Sequence, residues 1–363
     1  MKRTPLYSAH TALGATFTTS LSDWVTVAHF ADPIEEHHAV RNGVGFIDLS
    51  HRGRLWLTGD DRATFLHRIN SNDVEGLKVG EGNCATMLTN RGKIIADMKV
   101  CVFEDGIGIT TNAETTEILF NELDKYIIAD DVNLEDCTDE TGIIAIHGPQ
   151  SSHLVQASLG IDVTGLKEYY SMFHEVEGHS IACIRSDETG ETGYELYVEA
   201  EEMGWLWDIL LDKGKEFDAR PFGLTALDSL RIEAGIPRYG AELTESVLPL
   251  EAELEHAIDF EKGCYIGQEI VARMKYRGHP NRLLRGFEIE CDTPPAQNDL
   301  IFANGKEIGW ITSAVNSPSL DATIALGYVR MAYTDAGSKV KIITGDDPVN
   351  ATVAVLPFYK AGV

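Results

Sequence analysis

Lys262-Gly263-Cys264-Tyr265-Ile266-Gly267-Gln268-Glu269, continued by Ile270-Val271-Ala272-Arg273, is the stretch from which the rest of the chain is read. A cysteine stands between two glycines, with a lysine before it and an acid after it. Glycine admits positive φ and close backbone approach, so a tight turn is expected here, opening into a helix after Gly267. A neighbouring Lys262 and a helix N-terminus both lower a thiol pKa, which makes Cys264 a candidate reactive thiolate. The same residues also suit a small buried hydrophobe at a domain junction, because free cysteine is usually buried and inert.

The spelling K-G-C-Y-x-G-Q-E resembles the signature of the YgfZ-type folate-binding proteins, which are linked to iron–sulfur cluster assembly and belong to the aminomethyltransferase (glycine-cleavage T-protein) superfamily. A second similarity to T-proteins lies near the N-terminus, in Thr4-Pro5-Leu6-Tyr7, His10, Gly14-Ala15, Glu36-His37 and the run from Ala39-Val40-Arg41 to Ser50-His51. The resemblance covers nearly the whole chain and is weakest over 151–190 and in the last domain. It implies an α+β, three-domain T-protein-like cloverleaf. Residues 1–278 would form two α+β subdomains around a central pocket, and residues 279–363 a small C-terminal β-barrel.

Bulk properties narrow the function classes. The 363 residues exceed what one hydrophobic core organises, so two or three domains are expected. Apolar residues make up 44% and charged residues 24%, the balance of a soluble globular protein. Thirty Lys and Arg stand against 57 Asp and Glu, a formal charge of −27. That argues against nucleic acid, whose binders carry a basic footprint, and against an anionic membrane surface. A small anionic ligand would need local Arg or Lys. The six cysteines are dispersed, with no C-x-x-C and no zinc spacing, which reads as a reduced, cytoplasmic chain. Met1-Lys2-Arg3-Thr4-Pro5 opens without an apolar stretch, so no secretory leader is expected. The histidines show no metal-ligand spacing, and no metal is assigned.

Along the chain, residues 1–50 read as turns and one helix, capped by Asp32 with Pro33 at its first position. Strands are expected around 55–57, 86–88, 94–103 and 107–111, with a helix from about Ala113. The pattern recurs over 142–200: a strand at 143–146, a helix, then strands near 180–185 and 194–198. Helices follow over 200–213 and 223–235. From Leu283 short β-rich segments separated by Gly, Pro, Asn and Asp indicate a small all-β domain.

Four residues outside the cysteine motif are candidates for a site. Asp97 sits in the Ile/Val-rich run Ile94-Ile95-Ala96-Asp97-Met98-Lys99-Val100, where burial is costly without a partner. It is either a ligand-facing acid or an outward strand residue sharing its face with Lys99. Arg231 interrupts the apolar stripe 224, 227, 231, 234 and needs an anion, from the protein (Glu195 or Asp228) or from a ligand. Glu195 lies in Gly193-Tyr194-Glu195-Leu196-Tyr197, opposite Tyr194 and Leu196; a strand glutamate is usually solvated. Asn112 follows a strand and suits a helix N-cap.

The T-protein resemblance gives these residues roles. Glu195 would hold the pterin edge of tetrahydrofolate, or of a one-carbon-substituted form, Arg231 and Asn112 would position it, and Asp97 would face N5 and N10. Asp97 and Cys264 are the catalytic candidates; Asp97, Asn112, Glu195 and Arg231 are the folate-binding ones. Four pocket positions depart from the T-protein pattern: Arg52 for methionine, Cys84 for tyrosine, Ala96 for a carboxylate and Leu227 for arginine. The implied function is therefore a YgfZ-type protein using folate and Cys264 in iron–sulfur cluster assembly or repair, with iron–sulfur proteins as partners. The alternative is a folate-dependent aminomethyltransferase of glycine cleavage, served by a lipoyl carrier protein that docks on Arg273, Lys275 and Arg277. Whether a reaction is catalysed stays open at this stage.

Overall fold

A computed structural model describes residues 1–345 and 347–362. One antiparallel and one largely antiparallel sheet, a short N-terminal sheet and a closed barrel surround one central cavity. The five-stranded sheet runs in the order Gly82–Leu88, Ile94–Val102, Ile107–Thr111, Gly53–Thr58, Asn133–Asp136. In Ile94–Val102, Ala96, Met98 and Val100 enter a core with Leu55, Leu57, Phe65, Leu66, Leu119 and Leu123. Strand alternation therefore sends Asp97 and Lys99 to the opposite face, into the cavity wall.

The six-stranded sheet orders Ser171–Val176, His179–Arg185, Gly193–Glu199, Thr141–His147, Gly45–Asp48 and Arg220–Pro221, the last pair parallel. It packs on the helices Ser151–Leu159 and Met203–Gly214 through Leu154, Val155, Leu206, Trp207 and Leu210. This matches the expected doubling of the strand-and-helix pattern. Residues 1–50 are richer than expected: besides the helix Pro33–Asn42 they hold a helix, Tyr7–Ala12, and strands Lys2–Arg3, Thr16–Leu21, Trp24–His29 and Gly45–Asp48. The turn joining Thr16–Leu21 to Trp24–His29 contains Ser22 at φ 52° rather than glycine or asparagine, so the usual hairpin signal is missing.

The C-terminal strands close a barrel in the order Arg282–Ile289, Ala322–Arg330, Lys306–Ser317, Leu300–Ala303, Lys339–Thr344, Asp347–Ala354. Two buried carboxylates from the helix Leu224–Glu233 and the loop after it hold the barrel in place. Glu233 accepts from Ser317 Oγ at 2.5 Å and Ser319 Oγ at 2.8 Å on the barrel side, and from Arg41 Nη2 at 2.8 Å. Glu242 accepts from Thr312 Oγ1 and Ser313 Oγ, both at 2.7 Å, and from Arg231 Nη1 at 2.7 Å. A buried charge that loses its partner is strongly destabilising. Glu233→Ala is accordingly expected to cost about 3–5 kcal/mol in urea unfolding, because Arg41 stays buried without it; a loss under about 1 kcal/mol would show that the barrel is held by apolar packing alone.

Candidate active site

The cavity lies between the two sheets, the helix Leu224–Glu233 and the barrel. It has two lobes of about 490 Å³ and about 520 Å³, each in the range usual for small-molecule sites. Asp97, Met98, Lys99, Glu188, Ile236 and Pro237 line both, forming the wall they share. The first lobe adds Arg52, Asn112, Leu227, Asp228, Arg231 and Arg238, with Ala314 and Val315 from the barrel. The second adds Cys84, Tyr169, Glu253 and His256.

Asp97 is the carboxylate at the junction. Burial pushes its pKa up to about 6, with Arg52 and Lys99 pulling against that rise. Asn112 Nδ2 donates to its Oδ1 at 3.0 Å, and no protein hydrogen bond reaches its Oδ2 among the described residues. Asn112 sits at the end of Ile107–Thr111 and makes no side-chain cap bond to the short helix Ala113–Thr115; its amide is turned to Asp97 instead. Thr111 Oγ1 donates to the Asp97 carbonyl at 2.8 Å and fixes the strand beneath it.

Behind this wall lies a cluster of four charges. Arg52 donates to both oxygens of Glu188, at 2.8 and 2.6 Å, and to Glu195 Oε1 at 3.1 Å. Lys99 Nζ pairs with Glu188 and Glu195 as well. Tyr197 Oη donates to the other oxygen of Glu195 at 2.7 Å. Burial alone would raise the Glu188 pKa, but Arg52 and Lys99 hold it well below the usual carboxylate range. The members come from both sheets, so the cluster bridges them.

This arrangement revises several expectations. Glu195 is 0% exposed and lines neither lobe; its oxygens already accept from Arg52, Lys99 and Tyr197, so it stands behind the cavity surface and not on it. Arg231 lines the first lobe, but its guanidinium donates to Asp228 at 2.7 Å, Glu242 at 2.7 Å and Ser313 at 2.6 Å. Its anion comes from the protein, as one of the two sequence readings held, with Glu242 rather than Glu195 as the second acid. Lys99 is a cavity residue and not a solvent one.

Cys264 is exposed and lines neither lobe, so the buried-hydrophobe reading does not describe it. Lys262 does not serve the thiol: its ammonium donates to the carbonyls of Asn70 at 2.9 Å and Asn72 at 2.6 Å, and to that of His67. Burial lowers its pKa to about 8. Of the motif's two glycines, only Gly267 acts in packing; a Cβ at Gly263 would meet nothing within 4 Å. Gly267, at φ +86°, leaves only 2.7 Å between a would-be Cβ and the Thr89 carbonyl, and Tyr265 joins the core beside Leu88 and Ile94.

Of the four departures from the T-protein pattern, Arg52, Cys84 and Leu227 line the cavity, whereas Ala96 faces the core. Burial pushes the Cys84 thiol up to about 12, which makes it a poor nucleophile. Glu188, Tyr169 and Arg238 are cavity residues that sequence reasoning missed. Tyr169, at φ 64°, holds a conformation unusual for a bulky residue, and nothing in its local sequence announces it.

Comparison with known proteins follows the same outline. The family model described as the GCVT N-terminal domain matches residues 6–262, and that of the glycine cleavage T-protein C-terminal barrel domain matches residues 282–360. An aminomethyltransferase of Desulforamulus reducens is 32% identical over 100% of this chain and 99% of its own length. One from Geobacillus thermodenitrificans is 34% identical over 99% of each. The crystal structure of glycine cleavage system aminomethyltransferase T from Bartonella henselae superposes with a TM-score of 0.91 at 26% identity, covering 99% of this chain and 98% of that one. None of these relatives carries an iron–sulfur assembly name.

The raised pKa of Asp97 links its proton to folding stability. The folded state holds this proton more tightly than the unfolded chain does, so the ionised carboxylate costs stability above pH 6. Asp97→Asn is expected to raise stability at pH 7 by about 1–3 kcal/mol, with the gain shrinking as pH falls and vanishing below about pH 4. Denaturant titrations at pH 7 and pH 4 measure it; an equal effect at both would contradict the burial of this charge.

Proposed function

The chain belongs to the glycine cleavage T-protein family, and from that footing we propose that it is a folate-dependent aminomethyltransferase. Its donor would be an aminomethyl group carried on the sulfur of a lipoyl carrier protein, and its acceptor tetrahydrofolate. The C–S bond breaks as the methylene carbon bonds to a folate nitrogen, and the released thiolate takes up a proton. Ring closure on the second folate nitrogen then expels ammonia and leaves methylene-tetrahydrofolate. Four supports converge: the family, the relatives' names, the two-lobed cavity, and a half-buried carboxylate where the lobes meet.

The observation that carries the reading is Asp97. A group poised near neutrality can accept and return a proton within one cycle, and its pKa of about 6 suits that task. Its unpaired Oδ2 would face N5 or N10 and steady positive charge on the departing amine, while Asn112 fixes the carboxylate plane. For the pterin's 2-amino and N3 donors the carboxylate acceptors in the wall shared by both lobes would be Asp97 and Glu188, since Glu195 lies behind Arg52 and Lys99. Arg231 would shape the first lobe through its bonds to Asp228 and Glu242 rather than by binding folate directly.

The carrier would approach an exposed basic face on the helix Gln268–Arg277. Arg273, Lys275 and Arg277 are all exposed there, though Arg273 pairs with Glu269 and Lys275 with Glu255. On a chain of −27 such a patch would steer an acidic partner. Among the described residues no helix is long and apolar enough to cross a membrane.

A role in iron–sulfur assembly is the second reading, supported by the Lys262–Glu269 spelling and the exposure of Cys264. The relatives favour the transferase. The two part cleanly on one substitution: Cys264→Ala should leave transferase turnover unchanged, whereas a loss of turnover, or a loss of cluster-enzyme activity in cells, would favour the thiol.

The transferase reading is tested with aminomethylated lipoyl carrier and tetrahydrofolate, following ammonia and methylene-tetrahydrofolate. Wild-type protein should turn over, with kcat falling below about pH 6 as Asp97 protonates. Asp97→Asn should lose about 10²-fold or more in kcat while staying folded. Tight tetrahydrofolate binding by wild type without any turnover would make this a binding protein and overturn the reading.

A further inference from the structure

We infer that Arg238 anchors a carboxylate of the acceptor in the first lobe, and that this carboxylate belongs to the glutamate of the folate; the inference rests on the folate reading above. Four cationic side chains line that lobe. Arg52 and Lys99 are bonded to Glu188 and Glu195, and Arg231 to Asp228 and Glu242. Arg238 is different. Its Nη1 reaches Glu114 Oε1 only at 3.5 Å and the Tyr239 carbonyl at 3.3 Å, both long. Its Nε and Nη2 have no hydrogen-bond partner among the described residues.

The base from which this side chain projects is rigid. The Arg238 N–H donates to Glu242 Oε2 at 3.0 Å, and its carbonyl accepts from the backbone N–H groups of Ala241, Glu242 and Leu243. Pro237 restricts the backbone just before it. The side chain is 38% exposed, which sets it towards solvent and away from the buried charge cluster. An unfilled guanidinium fork on a fixed base is suited to bidentate capture of a carboxylate, and little ordering is needed when the ligand arrives.

Its position matches the polarity of the acceptor. Asp97 belongs to the wall shared by both lobes, whereas Arg238 lines only the first. A ligand with its reacting nitrogens at Asp97 and an acid at its far end would lie along the first lobe, with its aromatic middle against Leu227 and Val315. A chain of −27 repels a dianionic tail at long range, so holding one requires a cation with donors to spare. Of the four in the first lobe, Arg238 is the least paired: its one ion pair, to Glu114, is long at 3.5 Å and leaves Nε and Nη2 unbonded among the described residues.

The test compares tetrahydrofolate with tetrahydropteroate, which keeps the ring and the p-aminobenzoyl group but lacks the glutamate. Both are titrated calorimetrically, without oxygen, into wild-type protein, Arg238→Gln and Arg238→Lys. Wild type should bind tetrahydrofolate roughly 10- to 100-fold tighter than tetrahydropteroate. Arg238→Gln should abolish that preference by weakening tetrahydrofolate alone, and Arg238→Lys should restore part of it. Equal affinity for the two ligands in wild type, or a preference that survives in Arg238→Gln, overturns the inference while leaving the folate reading intact. Equal weakening of both ligands by Arg238→Gln would assign the residue a structural role and overturns it too. Failure of wild type to bind either ligand sinks the folate reading, and the inference with it.

Discussion

The rest of the site depends on the cluster formed by Arg52, Lys99, Glu188 and Glu195. Its side chains are 0–21% exposed, it balances two positive and two negative charges, and it joins Lys99 of the five-stranded sheet to Glu195 of the six-stranded one. Removing one member of such a set leaves a net charge in the cluster, because each cation pairs with both acids and each acid with both cations. The geometry between the sheets is therefore fixed by charge pairing as well as by apolar packing. The position of Asp97 follows, because Lys99 lies two residues along the same strand and on the same face.

A second consequence is chemical. With Arg52 present, Glu195 is enclosed by its donors, and the carboxylates in the wall shared by both lobes are Asp97 and Glu188. Glu188 is held ionised by two cations, whereas Asp97 has been pushed close to neutrality by burial. Two carboxylates in one cavity are thus separated in proton affinity: one is a fixed acceptor and the other can exchange a proton. The half-buried Asp97 charge is a local destabilisation within a cavity that Glu233 and Glu242 help to close by stitching the barrel to the helix Leu224–Glu233. Active sites often carry such costs.

The architecture was legible because its signals are local. Alternation around Asp97, the capped helix at Asp32–Pro33 and the regular β-segments after Leu283 each follow from short-range chemistry. The N-terminal hairpin was hidden by a turn built on Ser22. The site was legible in part. Asp97 and Asn112 do converge on the cavity, and Arg231 reaches its wall. What the sequence could not supply were partners far away along the chain. Nothing near Arg231 names Glu242 together with a barrel serine as its neighbours, and nothing near Glu195 says that Arg52 will cover it. The cysteine motif shows the converse: a distinctive spelling whose lysine, tyrosine and second glycine serve packing, with the thiol itself left in solvent.

The most direct measurement is a crystal structure of the protein soaked with tetrahydrofolate in the absence of oxygen. The expected result is ligand density filling the two-lobed cavity, with N5 or N10 within about 3 Å of the Asp97 carboxylate and the Arg52–Glu188–Glu195 bonds unbroken. Density outside the cavity, or a pterin seated on Glu195 with Arg52 displaced and Asp97 facing away, would contradict it.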